Sequence, residues 1–184
     1  MDKLRAHVDS IQLVPLLVGF TTSNNLFSRL IRIFETRWAP GSFMFRKVPS
    51  HVFLINKIGD SFFAAEMIDS GLQLDEPLSK YEKRGELIMG YKSLPFFHNE
   101  DGSLNQVNID KAVSFLADLK ANKIKGYGWE DILRQIGLPL RDSDQTLICS
   151  ELAEVVVRLF GFTFGFGLEP NPLQVYKSSL GKIL

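Results

Sequence analysis

Two apolar runs of equal length, His51–Ile58 and Ser61–Ile68, are separated only by Gly59-Asp60. A Gly-Asp pair between strand-like runs suits a two-residue hairpin turn, so the two runs are expected to pair antiparallel. The register then follows. If Ile58 pairs with Ser61, His51 lies opposite Ile68, and Glu66, two residues along, projects from the same sheet face as His51. Diagonal neighbours of this kind stand about 7–8 Å apart at the backbone, within reach of a carboxylate and an imidazole leaning together. A three-residue loop would shift the register by one and send Glu66 to the opposite face.

The chain has one cysteine, Cys149, in the string Thr146-Leu147-Ile148-Cys149-Ser150-Glu151-Leu152. Leu152, Val155, Val156 and Leu159 fall on one helical stripe, so Cys149 is placed in the first turn of a helix running to Phe160, with Gly161 as its stop. A helix N-terminus offers unpaired N–H donors and partial positive charge, which favour a thiolate and a developing oxyanion. Of the three histidines, His51 opens a strand, whereas His7 lies near the start and His98 in a polar loop. His51 is therefore the preferred base. Taken singly, Cys149 reads as a small buried hydrophobe, His51 as a strand-end residue bonded to a carbonyl, and Glu66 as a salt-bridge partner.

Composition narrows the remaining classes. The 184 residues carry 21 basic and 21 acidic side chains, so the electrostatic footprint of a nucleic-acid or membrane-surface protein is missing. With 45% hydrophobic residues the chain is expected to form one domain over residues 1–184. The apolar stretch Ile11–Phe20 is too short to span a bilayer and lacks a cleavage-site pattern, so the chain is read as starting at Met1 with no signal peptide and no transmembrane segment. One cysteine forms no internal disulfide, no Cys/His cluster has zinc spacing, and no metal or other cofactor is expected.

Along the chain, Ile11–Phe20 reads as an edge strand and Leu26–Arg37 as a helix capped by Asn24 or Asn25. A loop from Trp38 to Pro49 delivers the chain to His51. Asp69–Leu78 reads as a turn and a short extended piece, Lys80–Glu86 as a solvated connection, and Leu87–Tyr91 as a strand. After a polar loop, Asn99–Asn108, come helices over Ile109–Ala121 and Glu130–Ile136. Glu151 and Glu154 are assigned to the helix N-terminus and the solvent, and Ser150 to structure. Phe160–Gly167 reads as a turn and a core-facing strand; its phenylalanines would line an acyl-chain groove only if several were exposed. Trp38 and Trp129 are assigned to the core.

Ser50-His51-Val52 opening a strand, Ala65-Glu66 on the next strand, and Ile148-Cys149-Ser150-Glu151-Leu152 opening a late helix resemble the circularly permuted NlpC/P60 group, in particular its YiiX-like members. Phe20-Thr21-Thr22, Ser28-Arg29-Leu30-Ile31-Arg32, Gly71-Leu72, Pro77-Leu78 and Glu169-Pro170-Asn171-Pro172 extend the likeness from about Val18 to about Pro172. Gly19-Phe20-Thr21-Thr22 stands where many members carry a Gly-Asp turn, and the Trp38–Pro49 stretch is an insertion.

The resemblance implies an α+β, papain-like fold, circularly permuted, with an antiparallel sheet or small barrel packed against helices. It implies a thiol hydrolase in which Cys149 attacks a carbonyl, His51 activates the thiol and protonates the leaving group, and Glu66 orients His51. The backbone N–H of Cys149 would serve the oxyanion, with Gln145 or Thr146 as a further donor. The expected partner is a peptide, peptidoglycan-like or acyl substrate. Acyl transfer, lipid-type ester or amide hydrolysis, and a non-catalytic subunit of a larger, phage-type assembly are the alternatives. A working thiol fits a cytoplasmic or virion-associated protein.

Overall fold

The computed structural model describes residues 12–23, 31–32, 48–68, 70–123, 125–126, 146–165, 167 and 170–184. Its centre is the expected hairpin. Strands β2 (His51–Ile58) and β3 (Ser61–Ile68) pair antiparallel, with Ile58 opposite Ser61 and Leu54 opposite Ala65, which is the two-residue register. Gly59 takes φ +59° while Asp60 has no positive φ, the pattern of a type II′ turn with glycine at its first central position.

Around this pair the chain builds an open six-stranded antiparallel sheet in the order β4-β3-β2-β1-β5-β8, with β1 Val18–Thr22, β4 Gly71–Pro77, β5 Leu87–Ser93 and β8 Lys182–Ile183. Among the described residues it is a sheet with two edges and does not close into a barrel. The helices are α1 (Ser79–Lys83), α2 (Gln106–Ala121), α3 (Cys149–Arg158) and α4 (Pro172–Lys177). A separate pair of two-residue strands, β6 (Lys125–Gly126) and β7 (Thr146–Leu147), runs parallel just ahead of α3. The fold is α+β.

Period-two alternation sorts the core into two layers. Val18, Phe20, Val52, Leu54, Ala65 and Met67 pack with Ile109, Ala112 and Leu116 of α2 and Leu152, Val156 and Val157 of α3. On the other face, Leu17, Phe53, Ile55, Ala64, Tyr81 and Tyr91 form a second cluster. His51 shares the parity of Phe53 and Ile55. α4 is anchored by Asn171, whose side chain accepts from Gln174 N while Gln174 reaches back to Asn171 N.

Several expectations change. The strand expected over Ile11–Phe20 is Val18–Thr22 and lies inside the sheet between β2 and β1's other neighbour, β5, because both its edges find partners; Pro15 and Leu16 ahead of it form a turn. The short extended piece after Gly71 is a full strand, β4, at the sheet edge. α2 begins three residues earlier than expected, where Asn105 accepts from Asn108 N. Between Phe160 and Gly167 the described residues form no strand. Phe160 and Phe162 stack on Phe96 at the end of α3 far from Cys149, and among the described phenylalanines there only Phe162 is exposed, so they line no groove.

Glu154 is buried rather than solvated. It accepts from Thr163 Oγ1, Phe164 N and Arg158 Nε, so it fixes the turn after α3. Of the helix expected over Leu26–Arg37 only Ile31 and Arg32 are described, and both are helical. His7, Trp38, Trp129, most of the Trp38–Pro49 loop and the helix expected over Glu130–Ile136 lie outside the described residues. Among the described residues no helix is long and apolar enough to cross a membrane.

Candidate active site

Cys149 is the first residue of α3 and is buried, at 8% exposure. The position ahead of it is Ile148, which has no side-chain oxygen with which to cap the opening N–H groups of this helix. Glu151 instead turns back and accepts from Ile148 N at 2.9 Å. A helix start without a cap from the residue ahead of it leaves N–H donors and partial positive charge in its first turn, which Cys149 opens.

His51 reaches this point because it is the first residue of β2, where the strand emerges from the sheet. Its Nε2 donates to Glu66 Oε2 at 2.7 Å, and the Cys149 side chain is near enough to act on the imidazole. With Nε2 occupied, Nδ1 is the nitrogen left for sulfur. Burial works against a charged imidazole here, but the charge and hydrogen bond of Cys149, and then those of Glu66, outweigh it and hold the His51 pKa well above its ordinary value of 6.5. Cys149, His51 and Glu66 are thus brought together from three separate elements.

Glu66 is 1% exposed and has more partners than His51. Tyr81 Oη donates to Oε2 at 2.7 Å, and Lys80 Nζ pairs with Oε1. Burial alone would raise its pKa, yet the hydrogen bond and charge of His51, followed by Lys80 and Tyr81, bring it down to about 2. Glu66 is therefore an anion at any working pH. Burial and the adjacent Glu66 charge push the Tyr81 phenol strongly upward, so Tyr81 remains a donor.

Lys80 and Tyr81 are the members of this cluster that sequence reasoning missed. The run Lys80-Tyr81-Glu82-Lys83-Arg84-Gly85-Glu86 reads as solvated, but the short helix α1 turns Lys80 and Tyr81 inward while Glu82, Lys83 and Arg84 stay exposed. The available signal was the spacing of Glu76 and Lys80, four residues apart, which form an ion pair at 3.0 Å.

Two strand irregularities flank the site: one between Ala64 and Glu66 against β4, and one between Phe20 and Thr21 against β5. Such bulges re-aim side chains. Thr21, directly opposite His51, donates to Glu86 at 3.0 Å. Ser150 is fully buried, and its Oγ has no hydrogen-bond partner among the described residues. Gln145 and the side chain of Thr146 lie outside the described residues, and His98 bonds Ser93 at 2.8 Å, apart from this cluster. Among the described residues no group of three or more His, Cys, Asp or Glu is placed to hold a metal ion. No protein-family model matches the chain, and no curated protein matches its sequence.

Proposed function

We propose that the chain is a cysteine hydrolase that cleaves an amide, in a peptide or peptidoglycan-type peptide, through an acyl-enzyme on Cys149, within a permuted papain-like domain of the NlpC/P60 type. The observation that carries this reading is His51 hydrogen-bonded to the buried Glu66 carboxylate and near enough to Cys149, at a helix start, for the two to interact. A histidine fixed by a carboxylate and standing beside a thiol at a helix start is arranged to take that thiol's proton for nucleophilic attack.

In the proposed reaction Sγ adds to the substrate carbonyl carbon, and the oxygen takes the negative charge beside the N–H of Cys149. The C–N bond then breaks as the Nδ1 proton passes to the departing nitrogen, leaving a thioester and a neutral His51. Water enters, gives a proton back to Nδ1 and adds to the thioester. Collapse expels the thiolate and releases the acid. An amine is a poor leaving group unless protonated, so an imidazolium able to hand its proton to the departing nitrogen suits amide cleavage.

The test is the pH dependence of Cys149 alkylation by iodoacetamide. A free thiol is only about 0.3% thiolate at pH 6, so the native protein should label at least about tenfold faster than free cysteine there. His51→Ala should lose the excess. Equal rates for native protein, variant and free thiol would overturn the reading. Active preparations then warrant a screen of peptide amides, with mass spectrometry to detect the thioester.

A further inference from the structure

Glu66 has a countercharge besides His51. His51 and Tyr81 both donate to Oε2 at 2.7 Å, while Lys80 holds Oε1 and bridges to Glu76 at 3.0 Å. Tyr81 is fixed from behind by Phe53, ring centroids 4.8 Å apart, and Phe53 packs edge-on against Tyr91. The phenol is therefore aimed before any substrate arrives. Lys80 is nearly as buried, at 8% exposure.

This arrangement matters when His51 becomes neutral. A fully buried carboxylate whose sole counter-ion were the imidazolium would resist losing it, because an unpaired buried charge is costly. His51 would then hold its proton too tightly to act as an acid. We propose that Lys80 and Tyr81 are positioning residues that keep Glu66 ionised and fixed in both protonation states of His51, so that the proton on Nδ1 can leave for the substrate nitrogen. The proposal rests on the cysteine-hydrolase reading for its substrate step. Its electrostatic core concerns His51 alone. Tyr81 keeps its own proton throughout; the only proton that moves is the one on Nδ1.

The groups facing this pair are His51 from β2, Glu66 from β3, Glu76 from β4, Glu86 ahead of β5, and Cys149 from α3. Removing the Lys80 charge leaves His51 facing carboxylates with no cation to share them. The His51 proton should then be held more strongly.

The experiment is a titration of His51 by NMR in the full chain, with the His51→Ala spectrum as assignment, comparing native protein, Lys80→Met, Lys80→Arg and Tyr81→Phe. The expected result for Lys80→Met is an upward shift of the His51 midpoint by about one pH unit or more, a tenfold tighter hold on the proton. Lys80→Arg should restore the native midpoint, and Tyr81→Phe, which keeps the ring packing, should shift it upward by less. An unmoved midpoint in Tyr81→Phe and Lys80→Met, or a shift that Lys80→Arg fails to restore, would overturn the proposal and leave both residues as structural. If Lys80→Met does not fold, Tyr81→Phe decides alone. Alkylation of Cys149 is measured on the same samples: native labelling no faster than free cysteine, alongside a shifted midpoint, would sink the hydrolase reading and leave the countercharge standing.

Discussion

His51 Nε2 and Glu66 Oε2 stand 2.7 Å apart because a two-residue turn sets the register of the strands that carry them. Gly59 holds that turn at φ +59°, and a Cβ added there would meet nothing within 4 Å. Gly59→Ala should therefore cost only the conformational penalty, about 1–2 kcal/mol by urea unfolding, with Cys149 labelling at pH 6 unchanged. A glycine inserted between Gly59 and Asp60 should do the reverse. It moves Glu66 to the other face or forces a bulge, and the rapid labelling should fall toward that of free cysteine. Native labelling in the insertion variant would show that the turn does not set the pair.

Acid stability should report on Glu66. Its folded pKa of about 2 lies below the ordinary value of 4.5, so its contribution is complete above about pH 4.5 and is lost as pH falls through 2. The difference in unfolding free energy between native protein and Glu66→Gln should shrink by an amount on the order of 3 kcal/mol between pH 5 and pH 2. Parallel curves for the two proteins over that interval would contradict the depressed value.

What the sequence made legible was local. The Gly59-Asp60 turn and strand alternation place Glu66 on the face of His51 through contacts within eighteen residues of chain, and the stripe Leu152, Val156 places Cys149 at a helix start. What it hid depends on groups that a different element, near or far in the chain, brings up against the residue. Lys80 and Tyr81 sit in a charged run, and they are buried because a carboxylate on β3 receives them. β1 reads as an edge because its other partner, β5, arrives some seventy residues later in the chain, opposite Gly19 at Tyr91. Glu154 reads as a solvent-facing helix residue for the same reason: the Thr163 and Phe164 groups that bury it come from the turn beyond the helix.

Gly19 links the middle of the sheet to the site. It pairs with Phe53, and a Cβ at Gly19 would overlap the Phe53 ring, which itself braces Tyr81. Gly19→Ala should destabilise the fold by about 1–3 kcal/mol through overpacking. It should also disturb Tyr81, and through it Glu66, so labelling of Cys149 at pH 6 should slow even where the variant is fully folded by circular dichroism. A variant that loses stability but labels at the native rate would separate the Phe53 packing from the site.

Lys92 should give the chain an alkaline stability signature independent of the site. It is fully buried on β5, and its Nζ donates to Val175 O at 2.7 Å and Ser178 O at 2.8 Å, tying α4 and the turn after it to the sheet. Burial lowers its pKa from 10.5 to about 8. Between those values the unfolded chain binds the extra proton, so stability attributable to Lys92 rises as pH increases from 8 to 10.5, and below pH 8 the cost of the buried charge is present in full. The two carbonyls offset part of that cost, so the gain should not exceed about 3 kcal/mol. Urea unfolding of native protein and Lys92→Met at pH 7.5 and pH 10 isolates the effect, because other titrating groups are common to both. The native protein should gain on the variant at the higher pH; a constant difference would mean that the ammonium is as well accommodated between Val175 and Ser178 as it is in water.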